Sequence, residues 1–271
     1  MKILGAIIGD VCGAPYEKMK AKDITIDPFN EFAHYTDDTV LTVASMDYLL
    51  HEKPRKFEDV DPIIVSHYYR YWAKKYPNSG YGKTFKEWFR NDTPGATAQS
   101  WGNGCCMRVS PFAHYFELKN DLVMAAAQSA CITHDYLDSI HATQMVAHTM
   151  WMVKQGWTND AIADEIMRCF LIQLKPLSEI RPTHTFTSKA IETAPIAIQA
   201  FLESHSFEST LRLAISVGGD VDTNAAIACG ISAMRFDIPQ EFIDFVMPRL
   251  TGEFINVINE FNLLIGEKNE G

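Results

Sequence analysis

Seven oxygen-bearing side chains in three short stretches have the chemistry to act together. They are Glu17; Thr36, Asp37 and Asp38 in Tyr35-Thr36-Asp37-Asp38-Thr39; and Asp220, Asp222 and Thr223 in Gly218-Gly219-Asp220-Val221-Asp222-Thr223. Carboxylates set this close repel one another unless positive charge stands between them. An oxygen-only donor set suits a hard cation such as Mg²⁺ or Mn²⁺. Five carboxylates and two hydroxyls, with water in the remaining positions, can satisfy two six-coordinate ions. Two such ions about 4 Å apart can orient a substrate's hydroxyls and activate water. Either acidic run alone also reads as a capped helix start, because Asp and Thr stabilise the positive end of a helix. The repetition of the same make-up at two distant points favours the metal reading.

Two further stretches carry chemistry. Ser100-Trp101-Gly102-Asn103-Gly104 makes a flexible turn whose backbone N–H groups can form an anion nest, with Arg108 nearby. His134-Asp135 is similar to the paired ligands of an all-α class of metal phosphohydrolases, and that chemistry stands as an alternative. His134, His141 and His148 are spaced seven apart, and a rise of about 10 Å between successive members is too far for one ion. No Gly-x-Ser-x-Gly elbow supports a serine hydrolase.

These residues need elements to hold them. A helix is expected over 3–11, with Gly5, Gly9 and Gly13 on one face where another backbone can approach closely. Pro15 ends it and leaves Glu17 just beyond. Residues 20–34 read as loop with one short extended piece. Apolar residues at 40, 43, 44 and 50 continue Thr36–Thr39 into a helix. The segment 57–76 is helical and ring-rich (Tyr68, Tyr69, Tyr71, Trp72, Tyr76), a stripe that reads as core or subunit contact. A short helix near 84–90 precedes a turn over 91–95. Further helices are expected at 121–132, 138–155, 158–172, 187–203, 207–217, 221–235 and 248–265, with Pro239 and Pro248 marking helix starts. No segment alternates with a period of two, so the fold class is all-α, in one domain over 1–271.

A net charge of −10 argues against nucleic acid as the main partner. No window is apolar enough to span a membrane. Asp10 interrupts the apolar N-terminal run, which does not read as a signal peptide. The six cysteines lack a CxxC pair and read as reduced thiols of a cytoplasmic protein. A monomer is the default expectation.

Together and in order, these motifs resemble the ADP-ribosylglycohydrolase family. The carrying residues are Gly5 to Glu17, Thr36-Asp37-Asp38-Thr39, Ser100-Trp101-Gly102-Asn103-Gly104 with Met107-Arg108 and Pro111, Thr133-His134, and Gly218 to Ile227. The resemblance implies a compact, orthogonal all-helical fold with a binuclear Mg²⁺ or Mn²⁺ centre. It implies cleavage of the bond between ADP-ribose and an acceptor, either a protein side chain or a small molecule. Carried over, Thr36, Asp37, Asp38, Asp220, Asp222 and Thr223 correspond to metal ligands, and Glu17 to the mobile or catalytic carboxylate near them; Glu17 or Asp38 is expected to orient or deprotonate the attacking water. Ser100, Trp101, Gly102, Asn103 and Gly104 correspond to a diphosphate loop, and His134 to an ADP-ribose contact. Asn224, Cys229 and Cys105-Cys106 depart from the family pattern beside the site without removing an expected ligand. A non-catalytic ADP-ribose-binding member is the second alternative.

Overall fold

The computed structural model describes residues 1–17, 22, 25–91, 93 and 95–270, with side chains as far as 266. They form helices α1 (Gly5–Gly13), α2 (Asp37–Glu52), α3 (Pro62–Lys75), α4 (Lys83–Arg90), α5 (Ser110–Tyr115), α6 (Lys119–Cys131) and α7 (Leu137–Lys154). Then follow α8 (Asn159–Phe170), α9 (Leu177–Ile180), α10 (Ala190–Leu202), α11 (Phe207–Ile215), α12 (Val221–Arg235), α13 (Gln240–Val246) and α14 (Gly252–Glu270). Among the described residues extended pairing is limited to one isolated antiparallel bridge, Gly102 with Lys189. The fold is all-α, as the periodicity predicts.

At its centre α1 lies against α12, and the glycines explain how. A β-carbon on Gly5 would stand 2.6 Å from the Cys229 carbonyl oxygen, and one on Gly13 would stand 2.8 Å from the Asp222 Cα. One on Gly9 would collide with the Ala225 carbonyl. The two backbones therefore touch without intervening side chains. Every residue of α12 from Val221 to Ala233 is buried. Its alanine-rich, all-round apolar character is that of a core helix. α7, α10 and α11 pack around it.

On the other side, α2 packs against α3 and α14. Here the rings serve packing: Tyr76 lies 4.7 Å from Phe254 of α14, and Trp72 stacks on Tyr76 at 5.9 Å. The expected 57–76 helix is divided. Phe57–Asp59 is a single 3-10 turn, and α3 starts at Pro62 because Asp61 caps it, accepting from the Ile63 N–H at 2.8 Å. α10 starts at Ala190 rather than 187, since Lys189 is bridged to Gly102. α14 starts at Gly252, after a 3-10 turn over Met247–Arg249 that contains Pro248. α5 and α9 were not expected as helices; at six and four residues they are too short to show a period. α13 begins directly after Pro239, the expected helix start, and runs for seven residues. The expected loop over 20–34 and turn over 91–95 lie partly outside the described residues.

Candidate metal centre and cleft

The first acidic cluster is built from a buried carboxylate upward. Asp10, fully buried on α1, accepts from the Thr36 N–H at 2.9 Å and the Thr36 hydroxyl at 2.7 Å. It also accepts from the Thr39 N–H at 3.0 Å and the Thr39 hydroxyl at 2.5 Å. Thr36 is the N-cap of α2, and its oxygen accepts from the Asp38 N–H at 3.4 Å. The helix start is thus fixed at both ends of its first turn, and Asp37 and Asp38 project from it.

The second cluster is shaped differently. Gly218 and Gly219 hold φ of 77° and 82°, a left-handed conformation that glycine adopts without penalty. They turn the chain so that Asp220 becomes the N-cap of α12, with Asp222 and Thr223 in its first turn. Asp220 makes no side-chain cap. Its Oδ2 instead accepts from the Asn103 side-chain amide at 2.8 Å, and that amide also meets the Thr193 hydroxyl at 3.1 Å.

The α1–α12 contact brings the clusters together. Thr223 Oγ1 lies 3.3 Å from Asp38 Oδ2, across 185 residues of sequence. Two sets of carboxylates each offer ligand atoms within 4.8 Å of one another: Asp10, Asp38 and Asp222, and Glu17, Asp220 and Asp222. Asp222 is common to both. Asp38 Oδ1 is buried with no hydrogen-bond partner, a costly state for an acceptor unless a cation uses it. These oxygens fit a hard divalent ion, and the shared carboxylate fits two neighbouring ions.

Electrostatics agree with the geometry. Burial, then the charge of Asp10, pushes Asp37 up to about 8. Burial, then the charges of Asp10, Asp222, Asp37 and Asp220, pushes Asp38 well above the usual carboxylate range. Asp222 rises in the same way, with Asp220 its strongest neighbour. Burial also raises Asp10, against the opposing pull of its four donors. Carboxyl groups raised together in this way are crowded acids whose mutual repulsion a bound cation would relieve.

Above the carboxylates lies a cleft of about 570 Å³. Every candidate lines it: Glu17, Thr36, Asp37, Asp38, Ser100, Trp101, Gly102, Asn103, Gly104, His134, Asp220, Asp222 and Thr223. In the glycine loop two of the N–H groups expected to form an anion nest are already engaged. Gly102 donates to Ser100 Oγ at 3.0 Å and Asn103 to the Ser188 carbonyl at 2.7 Å. The Asn103 side chain faces Asp220, so this residue joins the loop to the second cluster. His134 is buried beneath the loop, and a β-carbon on Gly102 would stand 3.5 Å from its Nε2. Its Nδ1 lies 2.8 Å from the Thr133 hydroxyl, which takes a 2.6 Å bond from the buried Arg108. Burial, with the Arg108 charge, holds His134 well below the usual histidine range and hence neutral.

Asp135 is exposed, and among the described residues no metal-capable set of three includes His134. Arg108 stacks on Tyr69 at 4.0 Å and braces His134 through Thr133. Trp101 and Tyr136 are exposed at the rim, their ring centres 5.6 Å apart. One wall of the cleft is lined by Asn78, Ser79, Gly80, Lys83, Thr84 and Phe85 and not by the rings of α3. Asp10 and Thr193 were not read from sequence as site residues. An acid inside the apolar run Ile7-Ile8-Gly9-Asp10-Val11 is the signal that could have found the first.

Comparison with known proteins follows the same outline. Residues 2–265 match the profile of the ADP-ribosylglycohydrolase family. The chain is 25% identical to the bovine ADP-ribosylhydrolase ARH3, over 88% of this chain and 84% of that protein. It is 25% identical to human ADP-ribosylhydrolase ARH3, over 88% and 85%. An uncharacterized protein of Archaeoglobus fulgidus is 24% identical over 91% and 90%. In structure it is similar to an ADP-ribosylglycohydrolase-related protein complex, with a TM-score of 0.72, 23% identity and coverage of 96% and 95%. The chain belongs to the ADP-ribosylglycohydrolase family.

Proposed function

We propose that this family member hydrolyses the glycosidic bond between ADP-ribose and an acceptor, a protein side chain or a small conjugate, with a binuclear Mg²⁺ or Mn²⁺ centre. The observation that carries the reading is Asp222, shared by two acidic sets at the floor of the cleft that holds the glycine loop. Asp37, Asp38, Asp220, Asp222, Thr36 and Thr223 would hold the ions. When bound, these would supply positive charge that orients ribose hydroxyls and lowers the proton affinity of water.

The chain's own residues do the rest. The loop Ser100–Gly104, with the neutral His134 beneath it, receives the diphosphate end. The exposed rings of Trp101 and Tyr136 offer an apolar platform to a base at the rim. Asn103 holds Asp220 in register with that loop, so the ribose and diphosphate subsites are spaced by one side chain. The transition state of glycoside cleavage is oxocarbenium-like, and carboxylates placed beside the anomeric carbon stabilise its positive character. Glu17 or Asp38 orients or deprotonates the attacking water. The residues lining the acceptor side are polar apart from Phe85, in keeping with a hydrophilic acceptor.

The His-Asp phosphohydrolase alternative has less support, because His134 is committed to Thr133 and the glycine loop while Asp135 faces solvent. The test is release of free ADP-ribose, followed by mass spectrometry, from a panel of ADP-ribosylated peptides and small conjugates with Mg²⁺. Turnover should disappear in Asp38→Asn. Tight ADP-ribose binding with no turnover on any conjugate would instead identify a binding protein.

A further inference from the structure

A second group of ligating side chains lies on the opposite flank of α7, outside the cleft. Glu165 and Cys169 are one helical turn apart on α8 and share a face. His148 of α7 faces them. His148 Nε2 stands 3.8 Å from Glu165 Oε1, and Cys169 Sγ stands 3.4 Å from the same oxygen. All three ligand atoms lie within 4.8 Å of one another. His148 is only 5% exposed, and its Nε2 is buried without a hydrogen-bond partner. A buried ring nitrogen in that state is destabilising unless some ligand uses it.

We propose that His148, Glu165 and Cys169 form a site for a borderline-soft divalent cation of the zinc or cobalt kind. The nitrogen, oxygen and sulfur donors select against Mg²⁺ and Ca²⁺, which prefer oxygen alone. With zinc bonds of about 2.0–2.3 Å, tetrahedral ligands stand roughly 3.3–3.8 Å from one another. The 3.4 Å between Cys169 Sγ and Glu165 Oε1 falls within that range, and the 3.8 Å between His148 Nε2 and the same oxygen is about half an ångström longer than a nitrogen–oxygen pair would take, a gap that a small side-chain rotation closes. Three protein ligands leave a fourth position open towards solvent, the side on which Cys169 is exposed.

Arg168 supplies positive charge at the group. Its guanidinium bonds both Glu165 oxygens at 2.7 Å and reaches Cys169 Sγ at 3.2 Å. Its side chain is 69% exposed and so can swing out when a metal ion enters. The site would pin α7 to α8, and the start of α7 in turn touches the glycine loop, where the Ser139 hydroxyl donates to the Ser100 carbonyl at 3.3 Å.

The test is a titration of Co²⁺ into the full chain with saturating Mg²⁺ present to fill the oxygen-rich cleft. A thiolate-to-cobalt charge-transfer band should grow to one equivalent, be displaced by Zn²⁺ and be absent in Cys169→Ser. Cys169 is exposed, so that variant tests the ligand without disturbing the core. Arg168→Gln should tighten cobalt binding several-fold by removing the competing charge. Absence of the band, or its survival in Cys169→Ser, overturns the proposal.

Discussion

Two helix starts of nearly the same composition meet in this cleft, and they are held by opposite means. The α2 start is fixed from within: Thr36 caps the helix, and the buried Asp10 gathers four donors from Thr36 and Thr39. The α12 start has no side-chain cap. It is shaped by two left-handed glycines and steadied from outside by Asn103. One cluster is a rigid block set into the core. The other depends on the loop that is proposed to receive substrate, so on that reading substrate binding and metal geometry would be coupled on the α12 side and largely independent on the α2 side.

That contrast can be broken by mutation. Asp222→Ala removes the carboxylate common to both sets, so turnover should fall by about 10³-fold or more, the scale of losing metal charge stabilisation. Calorimetry with Mn²⁺ should find almost no binding. Asp220→Ala should leave one ion bound, and equal losses in the two variants would show that Asp222 is not shared.

Next in size are the supports. Asn103→Ala should weaken Mn²⁺ binding by about 10–100-fold, as loss of an outer-shell partner does, and Asp10→Asn, which alters a member of the first acidic set, by at least as much. Only Asp10→Asn should also lower stability, by about 1–3 kcal/mol, because it disrupts buried hydrogen bonds. Thermal melts of the metal-free proteins decide this, and a larger loss in Asn103→Ala reverses the contrast.

pH gives a third test. Asp37 has a folded value of about 8 against an ordinary 3.8, so between these limits the folded, metal-free chain keeps a proton that the unfolded chain has lost. Its stability should therefore fall as pH rises from about 4 to about 8. Saturating Mg²⁺ should abolish or reverse that slope, since metal replaces the proton and binds better at higher pH. A metal-free melting temperature that rises steadily with pH over this range contradicts it.

The smallest effects concern backbone and cap. Gly219→Ala should cost about 1–2 kcal/mol from the left-handed conformation alone, with added crowding where the new β-carbon comes 3.0 Å from His184 Nε2. Thr36→Ser keeps both the cap and the bond to Asp10, and its thermal midpoint should barely move.

The sequence made most of this legible where information is local. An acidic run followed by a helical period is readable at Asp37 and at Asp222, and the glycine spacing in α1 announces a close neighbour. What escaped reading depends on tertiary contact. Asp10 is one acid in an apolar helix until the fold sets Thr36 and Thr39 above it. The Asn103 amide reads as a substrate contact until α12 places Asp220 2.8 Å away. The short helices α5 and α9 carry too few residues for a period, and the break before α3 rests on one cap, Asp61.

The seam between α1 and α12 also sets a timetable for biosynthesis. A chain leaving the ribosome exposes the glycine face of α1 long before α12 exists to cover it. The contact that joins the two acidic clusters, Asp38 with Thr223, spans 185 residues, so it belongs to the long-range contacts that form late and slowly. Until then the nascent chain carries an unpartnered apolar helix and half of an acid cluster, the kind of surface that chaperones shield. On the proposed reading, metal capture would come at the end of synthesis, and a chain cut short before α12 would emerge with its first helix uncovered and only one of the two acidic clusters formed.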